Sequence, residues 1–308
     1  MTNIVTLTLN SSVDVQWDVD EVVPIQKLRS SAPLHFPGGG GINVSRVIRI
    51  LGGNSIAIHT AGGHTGQQFR GLVEAQGLLT RTIPIQGTTR SSATVFERST
   101  SQEFRVTPPG PVMSEHEWNS FLDAAFEYAT DYIVATGSLP IGVPNDFYAR
   151  VARVAREKGV RVVLDTAGRA LFEALKEGVY MVKPNLNELE RLAGRRAETD
   201  QDQETLCREL IARRGAEIVA LTLGADGALL VTPDQSLRLK APTVDVKSAV
   251  GAGDSFVAGL TWGLASGRSS ADAFRLAVAT GTATVMTAGG ELCRRADVDR
   301  FYEEITRT

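Results

Sequence analysis

Short segments rich in aliphatic and β-branched residues alternate with helix-like segments along most of this 308-residue chain. The strand-like segments are 4–9, 56–59, 132–135, 160–165, 180–182 and 218–222. The helix-like segments are 42–51, 65–76, 115–129, 144–158, 202–214, 254–266 and 271–287. Repeated strand–helix–strand units require right-handed crossovers, which produce a mostly parallel sheet with helices on both faces. The pattern predicts an α/β fold whose ligands bind at the carboxyl ends of the strands.

Two stretches, 13–36 and 88–107, contain strand-like segments with no helix between them. They predict a small sheet outside the main one, which is either an extended hairpin packed on the core or a lid that covers a substrate. No low-complexity linker divides the chain, and 43% hydrophobic residues suffice for one substantial core. We therefore expect residues 1–308 to form a single domain with lid segments near 13–36 and 88–107.

Composition and charge argue against several classes of protein. The formal net charge is −3 with both signs intermixed, which does not favour nucleic-acid binding. Cys207 and Cys293 are far apart and lack the spacing of metal ligands or of a disulfide framework. No segment reaches about 18 apolar residues, and the first residues enter a strand rather than a signal-peptide pattern. We expect a cytoplasmic protein with small-molecule partners, no nucleic acid and no membrane.

A glycine turn at Gly251-Ala252-Gly253 leads into the predicted helix that begins at Asp254. Backbone N–H groups at such a turn, together with the helix N-terminus, suit an anion such as a phosphate. A carboxylate beside an anion is unfavourable unless it takes part in chemistry, as the base of a kinase does. In isolation, Asp254 also fits a plain N-cap. Phe256 departs from the dinucleotide-binding fingerprint and a P-loop motif is absent, so any ATP must bind in another way.

A second glycine run, Gly38 to Gly41, precedes a helical pattern with Asn43 in its first turn. Four glycines indicate a backbone that something approaches closely. Asn43 either offers a donor and an acceptor to a polyhydroxylated ligand or is an ordinary solvated helix residue. Asp14 follows the first strand, where an α/β sheet presents side chains to ligands.

Two further segments place polar residues after predicted strands. Asn185 and Glu188 fit either a capped helix start or a site beside Mg²⁺-bound phosphates, since hard cations prefer oxygen ligands. Residues 222–228 fit either a plain tight turn between two strands or one wall of a nucleotide pocket.

In this order, the segments resemble the PfkB, or ribokinase-like, family of carbohydrate kinases over essentially the whole chain. The motifs that carry the resemblance are Thr6–Asn10, Pro37–Val44, Thr136–Pro140, Lys183–Glu188 and Val250–Phe256. The resemblance implies a ribokinase-like three-layer sandwich with a mostly parallel central sheet and a small β-sheet lid. Within the family, the chain looks most like the bacterial minor 6-phosphofructokinases. The implied reaction is ATP-dependent phosphoryl transfer to a ketohexose phosphate, with fructose 6-phosphate as acceptor and fructose 1,6-bisphosphate as product.

The resemblance also implies a role for each matched residue. Asp254 would be the general base, and the amides of Gly251, Ala252 and Gly253 would form the anion hole for the γ-phosphoryl group. Asn185 and Glu188 would help to hold Mg²⁺ and phosphates, with the metal bound indirectly. The residues expected at the ATP site are Lys183, Asn185, Glu188, Thr222, Gly224, Gly227, Ser248 and Val250. The residues expected to hold the sugar are Asp14, Gly39, Gly40 and Asn43.

Four more residues match positions with which phosphosugar members of the family grip the phosphate already on the substrate. They are Lys27, Arg29, Arg90 and Ser138. Arginine binds phosphate oxygens in bidentate fashion, and a charge-assisted contact of this kind is worth roughly 1.5–3 kcal/mol. Alternative acceptors are tagatose 6-phosphate and fructose 1-phosphate, followed by ribose or a nucleoside. Outside enzymes, the alternative is a sugar-phosphate-binding regulator without catalysis.

Two further properties of the family bear on partners and ions. Its members pair their lids in a homodimer, so a homodimer through the lid is expected. Its phosphofructokinases often bind a monovalent cation beside the loop that is 287–291 here. Glu291 stands where a basic or neutral residue is expected, so the sequence leaves dependence on K⁺ open.

Overall fold

The structure is a computed structural model that describes residues 4–128 and 130–307. Strands and helices alternate along most of it, as the sequence predicts. In chain order the elements are β1 (Ile4–Thr8), β2 (Ser12–Val19), β3 (Leu34–Gly38), α1 (Gly40–Ile50), β4 (Ile56–Ala61), α2 (Gly63–Ala75), β5 (Leu79–Pro84), β6 (Arg90–Glu97), β7 (Gln102–Val106), α3 (Glu115–Ala124), β8 (Tyr132–Thr136), α4 (Phe147–Glu157), β9 (Arg161–Asp165), α5 (Gly168–Glu177), β10 (Val179–Val182), α6 (Leu186–Ala193), α7 (Asp200–Ala212), β11 (Ala216–Thr222), β12 (Ala228–Val231), β13 (Ser236–Leu239), α8 (Ala252–Ala265), α9 (Ser270–Val285) and α10 (Arg295–Arg307).

Nine of these strands form the main sheet, in the order β13-β12-β11-β10-β9-β8-β1-β4-β5. All neighbours are parallel except β12, which runs antiparallel to both β11 and β13. Buried side chains of α3 to α7 pack on one face of the sheet, and those of α1, α8, α9 and α10 pack on the other. The predicted mostly parallel sheet between two helical layers is therefore confirmed.

Helix ends and two helices differ from the sequence prediction, and strands β5 and β13 were not predicted. The helix predicted over 115–129 ends at Ala124, because its last turn tightens to i→i−3 bonds from the amides of Phe126 and Glu127. Residue 129 lies outside the described part of the chain. Helices α5 and α10 were not predicted, although α10 buries residues at helical spacing, namely Val298, Phe301 and Ile305.

The stretches 13–36 and 88–107 form a second sheet of four strands, in the order β3-β2-β6-β7. Two antiparallel pairs, β2–β3 and β6–β7, are joined by parallel pairing of β2 with β6. The predicted small sheet outside the main one is thus confirmed, and it consists of two paired hairpins rather than one extended hairpin. That this sheet acts as a lid, and that residues 1–308 form one domain, stay predictions. Residues 1–3 and 308 lie outside the described ranges.

None of the helices in the two described ranges is long and apolar enough to cross a membrane.

Candidate active site

The carboxyl ends of five neighbouring strands meet the N-terminus of α8. Thr8, Thr136, Asp165 and Thr222 end β1, β8, β9 and β11, and Lys183 follows β10. This is the edge of a parallel sheet at which ligands are expected. Four cavities, with volumes of about 190, 430, 640 and 730 Å³, lie along it.

Asp254 stands between two of these cavities. It lines the 190 Å³ cavity, which lies below the second sheet, and the 430 Å³ cavity beside Asp165. The preceding residues, Ala252 and Gly253, line the 730 Å³ cavity. One carboxylate therefore faces two adjoining spaces, with the amides of the glycine turn next to a third.

The turn before α8 depends on glycine. Gly251 has a φ of 74°, a left-handed conformation that favours glycine, and a Cβ there would lie 2.5 Å from Leu292 Cδ2. Gly251 is the residue that precedes the first helical turn, and Asp254 lies inside that turn. Asp254 is therefore not the N-cap, and its carboxylate is available for another contact.

Asn43 provides that contact. Its Nδ2 donates to Asp254 Oδ2 over 2.9 Å. Burial, and after it the nearby charge of Asp165, raise the pKa of Asp254 to about 6, although the Asn43 hydrogen bond and the Lys183 charge oppose that shift. A carboxylate with a pKa of about 6 is ionised at neutral pH but still basic enough to accept a proton.

The glycine run at the start of α1 allows a close approach to this carboxylate. Gly39 has a φ of 116°, and a Cβ at Gly40 would lie 2.3 Å from Thr136 Oγ1 and 3.0 Å from Asp254 Oδ1. A Cβ at Gly41 would lie 2.5 Å from the Leu7 carbonyl oxygen. The first turn of α1 can therefore press against the strand ends only because these positions lack side chains.

The 190 Å³ cavity lies between the second sheet and the glycine turns. The candidate sugar residues among those that line it are Asp14, Gly39, Gly40, Asn43 and Arg90. Asp14 lies in β2 rather than after β1, and it accepts a hydrogen bond from Ser12 Oγ over 2.7 Å. Burial raises the pKa of Asp14, although this bond and the charges of Arg90 and Arg105 oppose that shift. The wall is polar and holds charges of both signs.

Arg90, the first residue of β6, is held by main-chain oxygens. Its Nη1 donates to Pro108 O over 3.0 Å and its Nη2 donates to Asn10 O over 3.2 Å. Its Nε is buried without a hydrogen-bond partner. The guanidinium is therefore fixed in direction, with a donor still to satisfy.

Ser138 lies one cavity away from Arg90, in the wall of the 430 Å³ cavity. Asn10 connects the two, because its Nδ2 donates to Ser138 Oγ over 3.0 Å while its carbonyl accepts from Arg90. Sequence reasoning singled out neither Asn10 nor Arg105, which also lines the 190 Å³ cavity. The signal for Arg105 was its place in the second predicted strand of 88–107.

Lys27 and Arg29 are exposed in the segment between β2 and β3. Neither lines any of the four cavities described above. The structure of a single chain thus does not bring them to Asp254, and their contact with a substrate phosphate stays a prediction.

The 730 Å³ cavity has apolar walls and lies on the other side of the glycine turn. Thr222, Gly224 and Gly227, predicted for the ATP site, line it together with Asn185. Its apolar side chains include Val244, Val246, Phe256, Val278 and Val285. A largely apolar cleft with few polar groups suits a purine base.

Four residues predicted for the ATP site do not line this cavity, namely Lys183, Glu188, Ser248 and Val250. Val250 lines the 190 Å³ cavity on the sugar side. Ser248 is buried, and its hydroxyl accepts from the Val250 amide over 3.2 Å, which stabilises the turn. Contact of either residue with a nucleotide stays a prediction.

A buried ion pair lies beside the anion-binding turn. Lys183 Nζ is 3.1 Å from Asp165 Oδ1, and the lysine side chain is only 8% exposed. Burial by itself lowers the pKa of Lys183, but the Asp165 charge and hydrogen bond outweigh it, so the pKa is raised. A Cβ at Gly253 would lie 3.8 Å from Lys183 Nζ, which places a fixed positive charge next to the turn. Sequence reasoning missed Asp165, although it ends a predicted strand.

Asn185 and Glu188 form the helix start that their spacing predicts. Asn185 Oδ1 accepts from the Glu188 amide and Glu188 Oε2 accepts from the Asn185 amide, both over 2.9 Å. Glu188 also lines the 430 Å³ cavity with Asp165 and Asp254. In the described ranges no cluster of three acidic, histidine or cysteine side chains forms a metal cage. Spaced carboxylates of this kind fit Mg²⁺, which keeps several waters and binds through phosphates.

Comparison with known protein families decides the class. The pfkB family of carbohydrate kinases matches residues 4–296. The chain belongs to this family. An ATP-dependent 6-phosphofructokinase isozyme 2 of Mycobacterium tuberculosis is 41% identical over 302 residues, which cover 97% of this chain and 89% of that protein. The isozyme 2 of Escherichia coli is 34% identical over 309 residues and 100% of both chains. A 1-phosphofructokinase of Bacillus subtilis is 33% identical over 92% of this chain and 93% of that protein.

Solved structures agree with this kinase family. The E. coli phosphofructokinase-2 in complex with potassium has a TM-score of 0.96 at 34% identity, and the same enzyme with fructose-6-phosphate has a TM-score of 0.95 at 33% identity. Each comparison covers 100% of both chains. A ribokinase from Arabidopsis thaliana shares the fold, with a TM-score of 0.77 at 18% identity over 98% of this chain and 99% of that chain. The predicted ribokinase-like fold and the predicted family are both confirmed.

Proposed function

We propose that this pfkB-family kinase transfers the γ-phosphoryl group of ATP to fructose 6-phosphate and forms fructose 1,6-bisphosphate. The observation that carries the proposal is the position of Asp254. It lines a charged cavity that contains Arg90, and the two residues directly before it, Ala252 and Gly253, line an apolar cleft that suits a nucleotide. Full-length relatives named 6-phosphofructokinase support the choice of acceptor.

In the proposed reaction, Asp254 accepts the proton of the acceptor hydroxyl as that oxygen attacks the γ-phosphorus. The new O–P bond forms while the bond between the γ-phosphorus and its bridging oxygen breaks, and ADP leaves. The amides of Gly251, Ala252 and Gly253 and the Lys183 charge stabilise the negative charge on the transferring group. These groups are fixed before the substrate arrives, so little reorganisation is needed.

Residues of the 430 Å³ cavity fit a phosphate-bound Mg²⁺. Asp165 and Glu188, which line this cavity, would hold the ion through water. Asn185 lines the 640 and 730 Å³ cavities instead, so its predicted contact with Mg²⁺-bound phosphates would come from the nucleotide side. When bound, Mg²⁺ neutralises phosphate charge and orients the nucleotide.

The phosphate already on the substrate is assigned to the cationic side of the 190 Å³ cavity. Arg90 and Arg105 line that cavity, and Arg90 retains a buried donor without a partner. Ser138 lines the neighbouring 430 Å³ cavity, and we propose that it donates its hydroxyl to the same phosphate from there, positioned by Asn10. We assign Lys27 and Arg29 to the same phosphate only when a second subunit closes the site.

The decisive experiment is turnover with MgATP and a panel of sugars. Fructose 6-phosphate should be the preferred acceptor, and Asp254→Ala should lower kcat by about 10²–10⁴-fold because it removes the base. Residual activity within about tenfold of the parent would remove the base assignment. The assays should compare potassium with tetramethylammonium chloride, since dependence on K⁺ stays open.

A second acceptor is favoured by one comparison, the full-length similarity to a 1-phosphofructokinase. The same panel separates the two functions, because fructose 1-phosphate carries its phosphate at the opposite end of the sugar. Tagatose 6-phosphate belongs in the panel as well. Absence of ATP consumption with every sugar would instead favour a binding protein without catalysis.

A further inference from the structure

Arg46 is an almost completely buried arginine behind the active site. Its side chain lies in α1, one turn after Asn43, and the residue is only 6% exposed. Burying a guanidinium is expensive unless its N–H groups are satisfied. Burial lowers the pKa of Arg46 to about 10, and the negative charge of Asp14 offsets part of that shift.

The Arg46 guanidinium donates to three separate parts of the fold. Nη1 donates to Asn43 Oδ1 over 3.3 Å, Nε donates to Gln76 Oε1 over 3.2 Å, and Nη2 donates to the Gly290 carbonyl over 2.8 Å. Gln76 directly follows α2, and Gly290 belongs to a loop that lines the 190 Å³ cavity. One cation thus connects α1, α2 and the loop before α10.

The bond to Asn43 determines which way the Asn43 amide faces. Because Oδ1 is occupied by a cationic donor, Nδ2 is directed to Asp254 Oδ2 at 2.9 Å. The reversed amide would place an NH₂ group against the guanidinium and a carbonyl oxygen against the carboxylate, so both contacts would become repulsive. Arg46 therefore acts on Asp254 through one intervening side chain.

We infer that Arg46 is a positioning residue for phosphoryl transfer, which holds the Asn43 amide as a donor to Asp254 and ties that amide to the Gly290 loop. The inference rests on the proposed role of Asp254 as the base. An arginine that only filled space would not need to reach a catalytic neighbour, a helix end and a cavity loop at once.

The other titratable groups near Asp254 and Arg46 remain in place when Arg46 is substituted. Asp14, Asp165 and Lys183 act on Asp254, and Asp14 and Cys293 face Arg46. A substitution that preserves the charge but not the three bonds can therefore separate geometry from simple electrostatics. Lysine is that substitution, since one ammonium group cannot reach Asn43, Gln76 and Gly290 together.

The test is the pH dependence of kcat/KM for Arg46→Lys and Arg46→Met. Loss of the fixed Asn43 donor should raise the pKa of Asp254, so the acid limb should move to higher pH by about one unit in both variants. We expect kcat to fall about tenfold or more, and KM for MgATP to stay within about twofold. A wild-type acid limb in both variants, or a shift with methionine alone, would overturn the positioning role.

A double-mutant cycle with Asn43→Ala tests whether Arg46 acts through Asn43. In the Asn43→Ala background, adding Arg46→Met should produce almost no further shift of the acid limb. A full additional shift would contradict the inference that Arg46 acts on Asp254 through Asn43. Arg295→Met is the matched control, because Arg295 Nη1 donates to the Leu51 carbonyl at the far end of α1. Its pH profile should match that of the wild type.

Two measurements keep the inference separate from folding and from the proposed function. If the Arg46 variants do not fold, Gln76→Leu removes one anchor of the guanidinium and should shift the acid limb in the same direction by a smaller amount. The pKa of Asp254 can also be followed without turnover by ¹³C-carboxyl NMR, with the signal assigned by its loss in Asp254→Asn. An unchanged Asp254 pKa in Arg46→Met refutes the inference, whereas a shifted pKa in an enzyme inactive on every sugar refutes only the proposed function.

Discussion

At the scale of single residues, Asp254 carries an energetic cost that its surroundings impose. Burial and the neighbouring Asp165 raise its pKa to about 6 from an ordinary 3.8. Asn43 and Lys183 reduce this penalty without removing it. A group that destabilises the fold at neutral pH and lies in a cleft is typical of a functional site.

Because the buried Asp254 carboxylate destabilises the fold at neutral pH, we expect the Asp254→Asn variant to have a higher free energy of unfolding. The folded protein binds more protons than the unfolded chain between about pH 3.8 and 6, so the stability contributed by Asp254 falls as pH rises through that window. Asparagine does not titrate, and the variant should therefore be more stable than the wild type by about 1–3 kcal/mol at pH 7.5. Urea unfolding should show this advantage shrinking as the pH is lowered towards 4.

Asp165→Asn is the matched control for that experiment. It leaves the buried Lys183 without its carboxylate partner, so its free energy of unfolding at pH 7.5 should fall rather than rise. Equal changes in the two variants would show that the pKa of Asp254 does not govern its stability effect.

At the scale of elements, β6 determines where the Arg90 guanidinium lies in the 190 Å³ cavity. Arg90 is its first residue, and β6 pairs with β2 so that Arg90 lies opposite Ser12, two residues from Asp14. The carbonyls of Pro108 and Asn10 then fix the guanidinium. The strand pairing, and not the loop before it, sets this position.

Arg90→Ala should therefore affect phosphorylated substrates selectively. We expect KM for fructose 6-phosphate to rise by about 10–100-fold, because a charge-assisted contact is worth roughly 1.5–3 kcal/mol. KM for free fructose should change by less than about threefold. Steady-state kinetics on both sugars measure the difference, and Arg81→Ala, in an exposed pair with Glu127, is the control. An equal rise for both sugars would contradict the phosphate contact.

At the scale of the whole molecule, the second sheet has two unlike faces. Asp14 and Arg105 belong to the face that lines the cavity, so Phe104 and Val106 lie on the opposite face because side chains alternate along a strand. Phe104 is 44% exposed and Val106 is 66% exposed. An apolar sheet face of this kind is a candidate surface for the expected homodimer.

The double variant Phe104→Glu/Val106→Glu should dissociate that dimer, since it places charges in an apolar interface. Sedimentation velocity should show a dimer for the wild type and a monomer for the variant, with a higher KM for fructose 6-phosphate if Lys27 and Arg29 act across the interface. Leu79→Glu, also at an exposed position, should leave the assembly unchanged. A dimer that survives the double variant must form through another surface.

The sequence alone predicted most of the alternating strands and helices, the family and most residues around Asp254. Alternation of apolar segments and glycine turns is local information, and local information is sufficient to place Asp254 and Asn43 at helix starts. Asn10, Asp165 and Arg105 could not be found in this way, because their proximity to the site depends on which strands pair.

Tertiary structure alone decided the electrostatics of the site. The hydrogen-bonded residues Asn43 and Asp254 are 211 positions apart in the sequence, and Arg46 and Gly290 are 244 positions apart. Burial, charge proximity and the direction of an amide depend on distances in space. The residue types that do the chemistry could therefore be identified from the sequence. The raised pKa of Asp254, and the contacts that position its carboxylate, arise only when the strand ends and the helix starts pack together.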